Sequence, residues 1–225
     1  MNLHVPWAAG GLVAYLAGPT VFLPDPLPIF ARMKQICNRY GITGIAPLDN
    51  QIGLESEPLS QNLIERIVSA DIELMDRADA GIFCLDGFRR STEMDSGTAF
   101  ELGYMRACKK PLVGWTTDRR HYPAKVADFF HSVFHLDLNH TSANTSGGSS
   151  GTMREPDGVL VHSEGCYQNA MIDFGIRGMG GAVAADPDWE LAFGGAVAHL
   201  AAMPRHSDSA ESPIRATLRA PLDDR

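Results

Sequence analysis

Along the first half of the chain, short uninterrupted apolar runs alternate with stretches whose apolar residues recur at a helical period. The runs at 12–17, 43–46, 81–85 and 111–116 are brief and almost free of charge, and they read as buried strands. Between them, residues 28–40 read as a helix closed by Gly41, residues 59–78 as a long helix carrying Ile64, Ile67, Val68, Ile72 and Met75 on one face, and residues 96–108 as a third helix. A repeated order of strand, helix and strand lays helices over a parallel sheet. The pattern therefore predicts an α/β fold: a flavodoxin-like, doubly wound parallel sheet of five strands with helices on both faces.

After Leu138 the pattern changes. Residues 139–158, which include the run Ser146-Gly-Gly-Ser-Ser-Gly151, are too polar to pack and read as a flexible loop. Order is expected to resume near Val159, with a last helix over 188–203 and Asp186 or Asp188 near its cap. Residues 204–225 are polar, punctuated by proline and poor in apolar side chains, the composition of a disordered tail. Trp7 and the other residues before Leu12 read as an extension without chemistry. With no internal repeat, residues 1–203 are expected to form a single domain.

At 225 residues and 44% hydrophobic content the chain can bury a sizeable core. Its 19 Lys and Arg against 27 Asp and Glu leave a net charge of −8 without a dense basic cluster, which argues against a nucleic acid partner. No apolar stretch is long enough to span a bilayer, so no membrane partner is expected. The first Lys or Arg is Arg32, so the start lacks the basic region of a secretion signal. Cys37, Cys84, Cys108 and Cys166 form no Cys-x-x-Cys pair and read as reduced thiols. Together these features point to the cytoplasm, where the triplets at Asn139 and Asn144 carry no glycosylation meaning.

In an open parallel sheet the ligand crevice lies beyond the carboxyl ends of the strands, so the loops leaving them are where chemistry is sought. The first strand runs into Gly18-Pro-Thr-Val-Phe22, whose glycine lets backbone approach a ligand. The third runs through Arg89 and Arg90 into Asp95-Ser-Gly-Thr-Ala-Phe-Glu101. Asp95 and Glu101 at such a junction can both face the crevice, with an ionised Glu101 as nucleophile; equally, Asp95 can be a helix cap and Glu101 a solvated helix residue. Asp71, Asp76 and Asp79 sit near the end of the preceding helix, where carboxylates oppose the dipole and need compensation. His131 and His135 are four apart but lack a third ligand, so no metal is expected; Gly178-Met-Gly-Gly181 lacks the dinucleotide spacing and reads as a loop.

Several islands together resemble the nucleoside 2-deoxyribosyltransferase family: Tyr15-Leu-Ala-Gly-Pro-Thr-Val-Phe22, Ala46-Pro-Leu-Asp-Asn-Gln51, Asp71 with Asp79, Asp95 through Glu101-Leu-Gly-Tyr104, and Asn169-Ala-Met171. The resemblance implies a flavodoxin-like fold and exchange of the base on a 2-deoxyribonucleoside, with a place in nucleoside salvage. It implies Glu101 as nucleophile and Tyr15 as the phenol that holds it. Asp71 and Asp95 correspond to the acidic pair handling the leaving base and a sugar hydroxyl, Gln51 to a side chain that hydrogen-bonds the base, and Phe22 to the ring that stacks on it. Gly18 falls in the substrate-binding turn. Asn169 and Met171 match a segment that reaches the neighbouring subunit's site, which implies a homo-oligomer, a dimer or a trimer of dimers, with shared active sites. Ala170 stands where that motif usually has Leu.

The partners implied are deoxynucleosides and free nucleobases, and the reaction needs no cofactor. Cleaving an N-glycosidic bond builds oxocarbenium character that a carboxylate can stabilise and then trap, while the departing base needs a proton. Two other readings fit the same sheet: an N-glycoside hydrolase acting on nucleosides or nucleoside monophosphates, with Arg89 and Arg90 as phosphate ligands, and a nucleotide-binding protein without catalysis.

Overall fold

The computed structural model describes residues 11–51, 58, 60–140 and 152–204. The chain opens with β1 (Leu12–Ala17), a 3-10 turn over Pro19–Phe22, α1 (Pro26–Arg39), β2 (Ile42–Ile45) and a second 3-10 turn over Pro47–Asn50. It continues with α2 (Gln61–Arg77), β3 (Ala80–Cys84), α3 (Ser96–Ala107) and β4 (Leu112–Thr116). Beyond these come α4 (Tyr122–Phe129), which runs into a π turn over Phe130–Phe134, and the short strands β5 (Asn139–His140), β6 (Met153–Arg154) and β7 (Leu160–Val161). The described chain ends with α5 (Ala170–Arg177), β8 (Val183–Ala185) and α6 (Trp189–Ala202).

The main sheet is five-stranded and parallel in the order β2-β1-β3-β4-β8, the doubly wound flavodoxin-like arrangement that the sequence predicts. Successive side chains on a strand point to opposite faces, and each strand therefore feeds two cores. Leu16, Ile82 and Trp115 meet Phe30 of α1 and Phe193 of α6 on one face; Tyr15 and Phe83 meet Met75 of α2, Leu102 of α3 and Ile176 of α5 on the other. Full burial of each such side chain contributes roughly 1.5–3 kcal/mol. β1 and β3 are neighbours, with Tyr15 opposite Gly81, and the winding reverses between them, which leaves a crevice at their carboxyl ends.

Caps explain where several helices start. Ser60 accepts a hydrogen bond from the Leu63 amide at 3.1 Å, and Asp188 accepts one from the Glu190 amide at 2.8 Å, which makes Asp188 the cap of α6. α1 begins two residues before the expected Pro28, because proline in the first turn gives up an amide that has no helical partner there.

Two expectations are corrected, the apolar face of α2 and the loop at 139–158, and two elements are added, α4 and the α5–β8 pair. Of the face expected on α2, Met75 is buried and Ile72 packs against the core, while Ile64 and Val68 stand half exposed at 54% and 50% and Leu63 and Leu74 complete the buried stripe instead. Residues 122–134, which the pattern left unassigned, form α4 and its π turn. The fifth strand is β8, preceded by the unforeseen α5. The ends of the expected loop at 139–158 are not loop: β5 and β6 pair antiparallel, and β6 pairs with β7, so order resumes by Met153. Residues 141–151 of that loop, the tail from 205 onward and the extension with Trp7 lie outside the described residues. Among the described residues, no helix is long and apolar enough to cross a membrane.

The crossing into β8 is tight. A Cβ on Gly181 would stand 1.7 Å from the Leu112 carbonyl oxygen. Gly181→Ala should therefore force β8 away from β4 and cost about 1–3 kcal/mol, read as a Tm lower by roughly 2–10 °C in a calorimetric scan. An unchanged Tm would mean that β8 is free to move.

Candidate active site

The crevice gathers side chains from four elements. Tyr15 lies fully buried on β1, and its hydroxyl donates to Glu101 Oε1 at 2.6 Å. Glu101 stands in the second turn of α3, on the face turned toward the sheet. Burial pushes its carboxyl up to about 7, the like charges of Asp71 and Asp95 push the same way, and the Tyr15 hydrogen bond opposes them. Burial, and next the Glu101 carboxylate, hold the Tyr15 phenol well above its usual range, so it stays a donor.

A second pair faces the first. Gln51 closes the turn over Pro47–Asn50, and its amide donates to Asp71 Oδ1 at 3.1 Å. That turn is fixed because Asp49 accepts from the Ala46 amide at 2.9 Å while pairing with Lys34. Burial raises Asp71 and the Gln51 hydrogen bond lowers it; the net shift is upward, which favours a carboxyl that carries a proton.

Asp95 is the cap of α3, with Oδ2 accepting from the Thr98 amide at 2.8 Å and the Thr98 hydroxyl at 3.0 Å. It also lines a cleft of about 400 Å³ with Phe22, Phe88, Arg89, Glu93 and Gly97. Capping and facing the crevice are therefore compatible. Phe22 is 58% exposed and stacks on Phe88, with centroids 5.2 Å apart. Behind Phe88 the chain makes a primed turn: the Ser91 amide donates to the Phe88 carbonyl at 3.0 Å, with Arg89 and Arg90 at φ 52° and 62°. Left-handed arginines are strained, and here the turn folds the Arg89 guanidinium over the Phe88 ring at 4.9 Å. Gly18 sits where a Cβ would come 2.7 Å from Cys84 Cβ, so only glycine lets β1 exit so close to β3.

The remaining expected residues lie on α5. Asn169 caps it by accepting from the Met171 amide at 2.9 Å, and Met171 is 81% exposed. Among the described residues, no hydrogen bond joins either to Glu101, Tyr15, Asp71 or Asp95. The structure thus brings Tyr15, Glu101, Asp71, Gln51 and Asp95 together, sets Phe22 beside Asp95 in the cleft, and leaves Asn169 and Met171 on a neighbouring helix end. Sequence reasoning missed Phe88, which prolongs the Phe22 stack, and buried Gln168 beside Asn169. No spacing signals either. Among the described residues no cluster is arranged to hold a metal ion, and His131 pairs with Asp137 at 3.0 Å.

Glu101 gives a direct check on this geometry. In protein labelled with carboxyl-¹³C glutamate, its resonance should titrate with a midpoint near 7, and Tyr15→Phe should move that midpoint upward because the group favouring the charged form is gone. A downward move would contradict the assigned role of the phenol. With its folded-state value above the ordinary 4.5, Glu101 contributes stability that is present at acid pH and lost as pH rises through about 7; Glu101→Gln should flatten that fall in pH-dependent melts.

The profile of the nucleoside 2-deoxyribosyltransferase family matches residues 14–171, a span running from β1 into α5. An uncharacterized protein of Schizosaccharomyces pombe is 46% identical over 188 residues, which make up 84% of this chain and 88% of that protein. Among solved structures, the 2-desoxiribosyltransferase from Leishmania mexicana superposes with a TM-score of 0.54 at 25% identity, covering 84% of this chain and 98% of its own. The 2-deoxyribosyltransferase from Bacillus psychrosaccharolyticus is 27% identical over 52% of this chain and 80% of its own, with a TM-score of 0.39. The matched span takes in Tyr15, Gln51, Asp71, Asp95, Glu101 and Asn169. On this match, the chain belongs to the nucleoside 2-deoxyribosyltransferase family.

Proposed function

We propose that the protein transfers the 2-deoxyribosyl group between nucleobases through a covalent glycosyl-Glu101 intermediate with retention at the anomeric carbon. The observation that carries this reading is the Tyr15–Glu101 hydrogen bond in a crevice where burial above all holds Glu101 near 7. A nucleophile in that range is substantially ionised at neutral pH and desolvated enough to attack.

In the first half-reaction a Glu101 oxygen bonds to C1′ as the C1′–N bond breaks. The electron pair leaves on the base nitrogen, which takes a proton from Asp71. In the second, an incoming base nitrogen bonds to C1′, the ester C1′–O bond breaks, and the incoming N–H proton passes to Asp71. Tyr15 orients Glu101, Gln51 holds Asp71 and the base, Phe22 stacks on the base, and Asp95 binds a sugar hydroxyl. Gly18 lets the substrate lie against backbone. Asn169 and Met171 serve the site of a neighbouring subunit in a homo-oligomer, and residues 1–203 act as one domain.

A nucleoside fits better than a nucleoside monophosphate. Glu93 and Asp95 line the same cleft as Arg89, so a phosphate dianion there would face two carboxylates. A protein that only bound nucleotides would gain nothing from a desolvated carboxylate held by a buried phenol.

Incubation with deoxyadenosine and cytosine should yield deoxycytidine and adenine, with adenosine a far poorer donor because a 2′-hydroxyl destabilises the oxocarbenium ion. Deoxyadenosine alone, and then its monophosphate, separate transfer from hydrolysis. Glu101→Ala should lose at least about 10³-fold in turnover while keeping its circular dichroism, and denaturing mass spectrometry should find a sugar adduct on the wild-type peptide containing Glu101. Near-wild-type turnover in the folded variant overturns the assignment. The rate should rise with pH through about 7 as Glu101 ionises. For the shared site, mixing Glu101→Ala with Asn169→Ala subunits should restore activity that neither has alone; no recovery places Asn169 in its own chain's chemistry or outside it.

A further inference from the structure

Gln168 is fully buried, and its side-chain amide uses both of its N–H donors and its carbonyl oxygen. Nε2 donates to the Leu85 carbonyl at 3.2 Å and to the Thr92 carbonyl at 2.7 Å, and Oε1 accepts from the Asn169 amide at 3.3 Å. Leu85 is where the chain leaves β3, and Thr92 lies three residues before Asp95. One planar amide therefore pins both ends of the stretch that carries Phe88 and Arg89, up to the residue before Glu93, and ties it to the residue capping α5.

The Gln168 backbone is itself fixed. Asp173, also fully buried, accepts from the Tyr167 and Gln168 amides at 3.1 and 2.9 Å, and Arg177 pairs with it at 3.3 Å. The buried Lys125 donates to the Tyr167 carbonyl at 2.9 Å, and the Tyr122 amide donates to the Cys166 carbonyl at 2.8 Å. The Tyr122 hydroxyl donates to Glu93, so the first turn of α4 holds the segment and the loop at once.

We propose that Gln168 is a positioning residue: its amide fixes the 86–95 loop, and through it the Asp95 carboxylate, in the geometry the crevice requires. A glutamine meets this need where its neighbours in size do not. Methionine has the reach but no donor, and an ionised glutamate would aim negative charge at two carbonyl oxygens. The consequence for turnover rests on the transferase reading; the clamp on the loop does not.

Two measurements on the full chain test it separately. In Gln168→Met, amide hydrogen exchange should quicken by about 10-fold or more across 86–95 and stay unchanged in β1 and α1. The kcat/KM for deoxyadenosine with cytosine should fall on the order of 100-fold, as expected for a displaced reacting geometry. In an Asp95→Asn background the same change should cost less than about 3-fold, because both lesions disable one device. Unchanged exchange over 86–95, a uniform rise through the whole sheet, or losses that multiply independently would each overturn the proposal. Should Gln168→Met fail to fold, Gln168→Glu decides the matter. Protection of 86–95 relative to wild type should recover between about pH 8 and about pH 5.5, as the carboxyl regains a donor proton, and a ratio independent of pH overturns the clamp. A wild-type protein that transfers no sugar refutes the proposed function instead, and the exchange measurements still decide the clamp.

Discussion

A carboxylate removed from water is unfavourable unless something holds its charge, and in this protein the Tyr15 hydroxyl does so for Glu101 at 2.6 Å. The two residues are 86 positions apart, so the bond exists only because the doubly wound order sets β1 beside β3 and packs α3 across them. Each partner constrains the other. Burial and then Glu101 raise the phenol further above its usual range, and the phenol keeps the carboxyl from drifting further toward its neutral form. Asp71 and Asp95 then act on a group already poised between states, where modest like-charge repulsion changes the fraction ionised at neutral pH.

The poise depends on a rigid surround, and part of it comes from carboxylates and a lysine that take no part in the crevice. Lys110 donates to the Met75, Ala78 and Asp76 carbonyls at 2.6, 2.6 and 2.7 Å, so one cation satisfies the carboxyl end of α2 and opposes its dipole. Asp79 brackets Val13, donating its amide to the Val13 carbonyl at 2.8 Å and accepting the Val13 amide at 3.0 Å on its side chain. Asp76 accepts from the Tyr104 hydroxyl at 2.7 Å and so ties α2 to α3. The three acidic residues near the end of α2 thus separate by direction: Asp76 and Asp79 hold elements together, and Asp71 turns to Gln51.

This separation marks the limit of what the sequence discloses. Strands β1 to β4 and helices α1 to α3 are legible because buried parallel strands are short, apolar and bounded by turn residues. β8 is not, since Val183-Ala-Ala185 is three residues long and lies at the edge of the sheet. α4 carries a signal in the sequence, since Pro123 follows His121 and Tyr122 at the point where a helix tolerates proline. For the crevice, the loops leaving β1 and β3 follow from topology alone. The pairing of Tyr15 with Glu101 does not follow from spacing and rests on the family resemblance, and the pairing of Gln51 with Asp71 is visible only in the fold. Gln168 was invisible either way, because its partners are backbone carbonyls, which leave no trace in the identity of the residues that carry them.

The segment leading into α5 shows why rigidity and exposure have to be weighed together. The polar run over residues 139–158 suggests a tether that lets Asn169 and Met171 swing toward a neighbour. In the fold, Asp173, Lys125 and Gln168 bind that segment to its own chain, while Met171 stays 81% exposed and Phe174 on the same helix 59% exposed. On a fixed helix end the backbone is already ordered in folding, so covering an apolar side chain there costs only its own rotamer freedom, on the order of 1 kcal/mol for a methionine. In the proposed oligomer, then, a neighbouring subunit meets a preformed surface, and the same hydrogen bonds that steady the 86–95 loop of one chain fix the residues offered to the next.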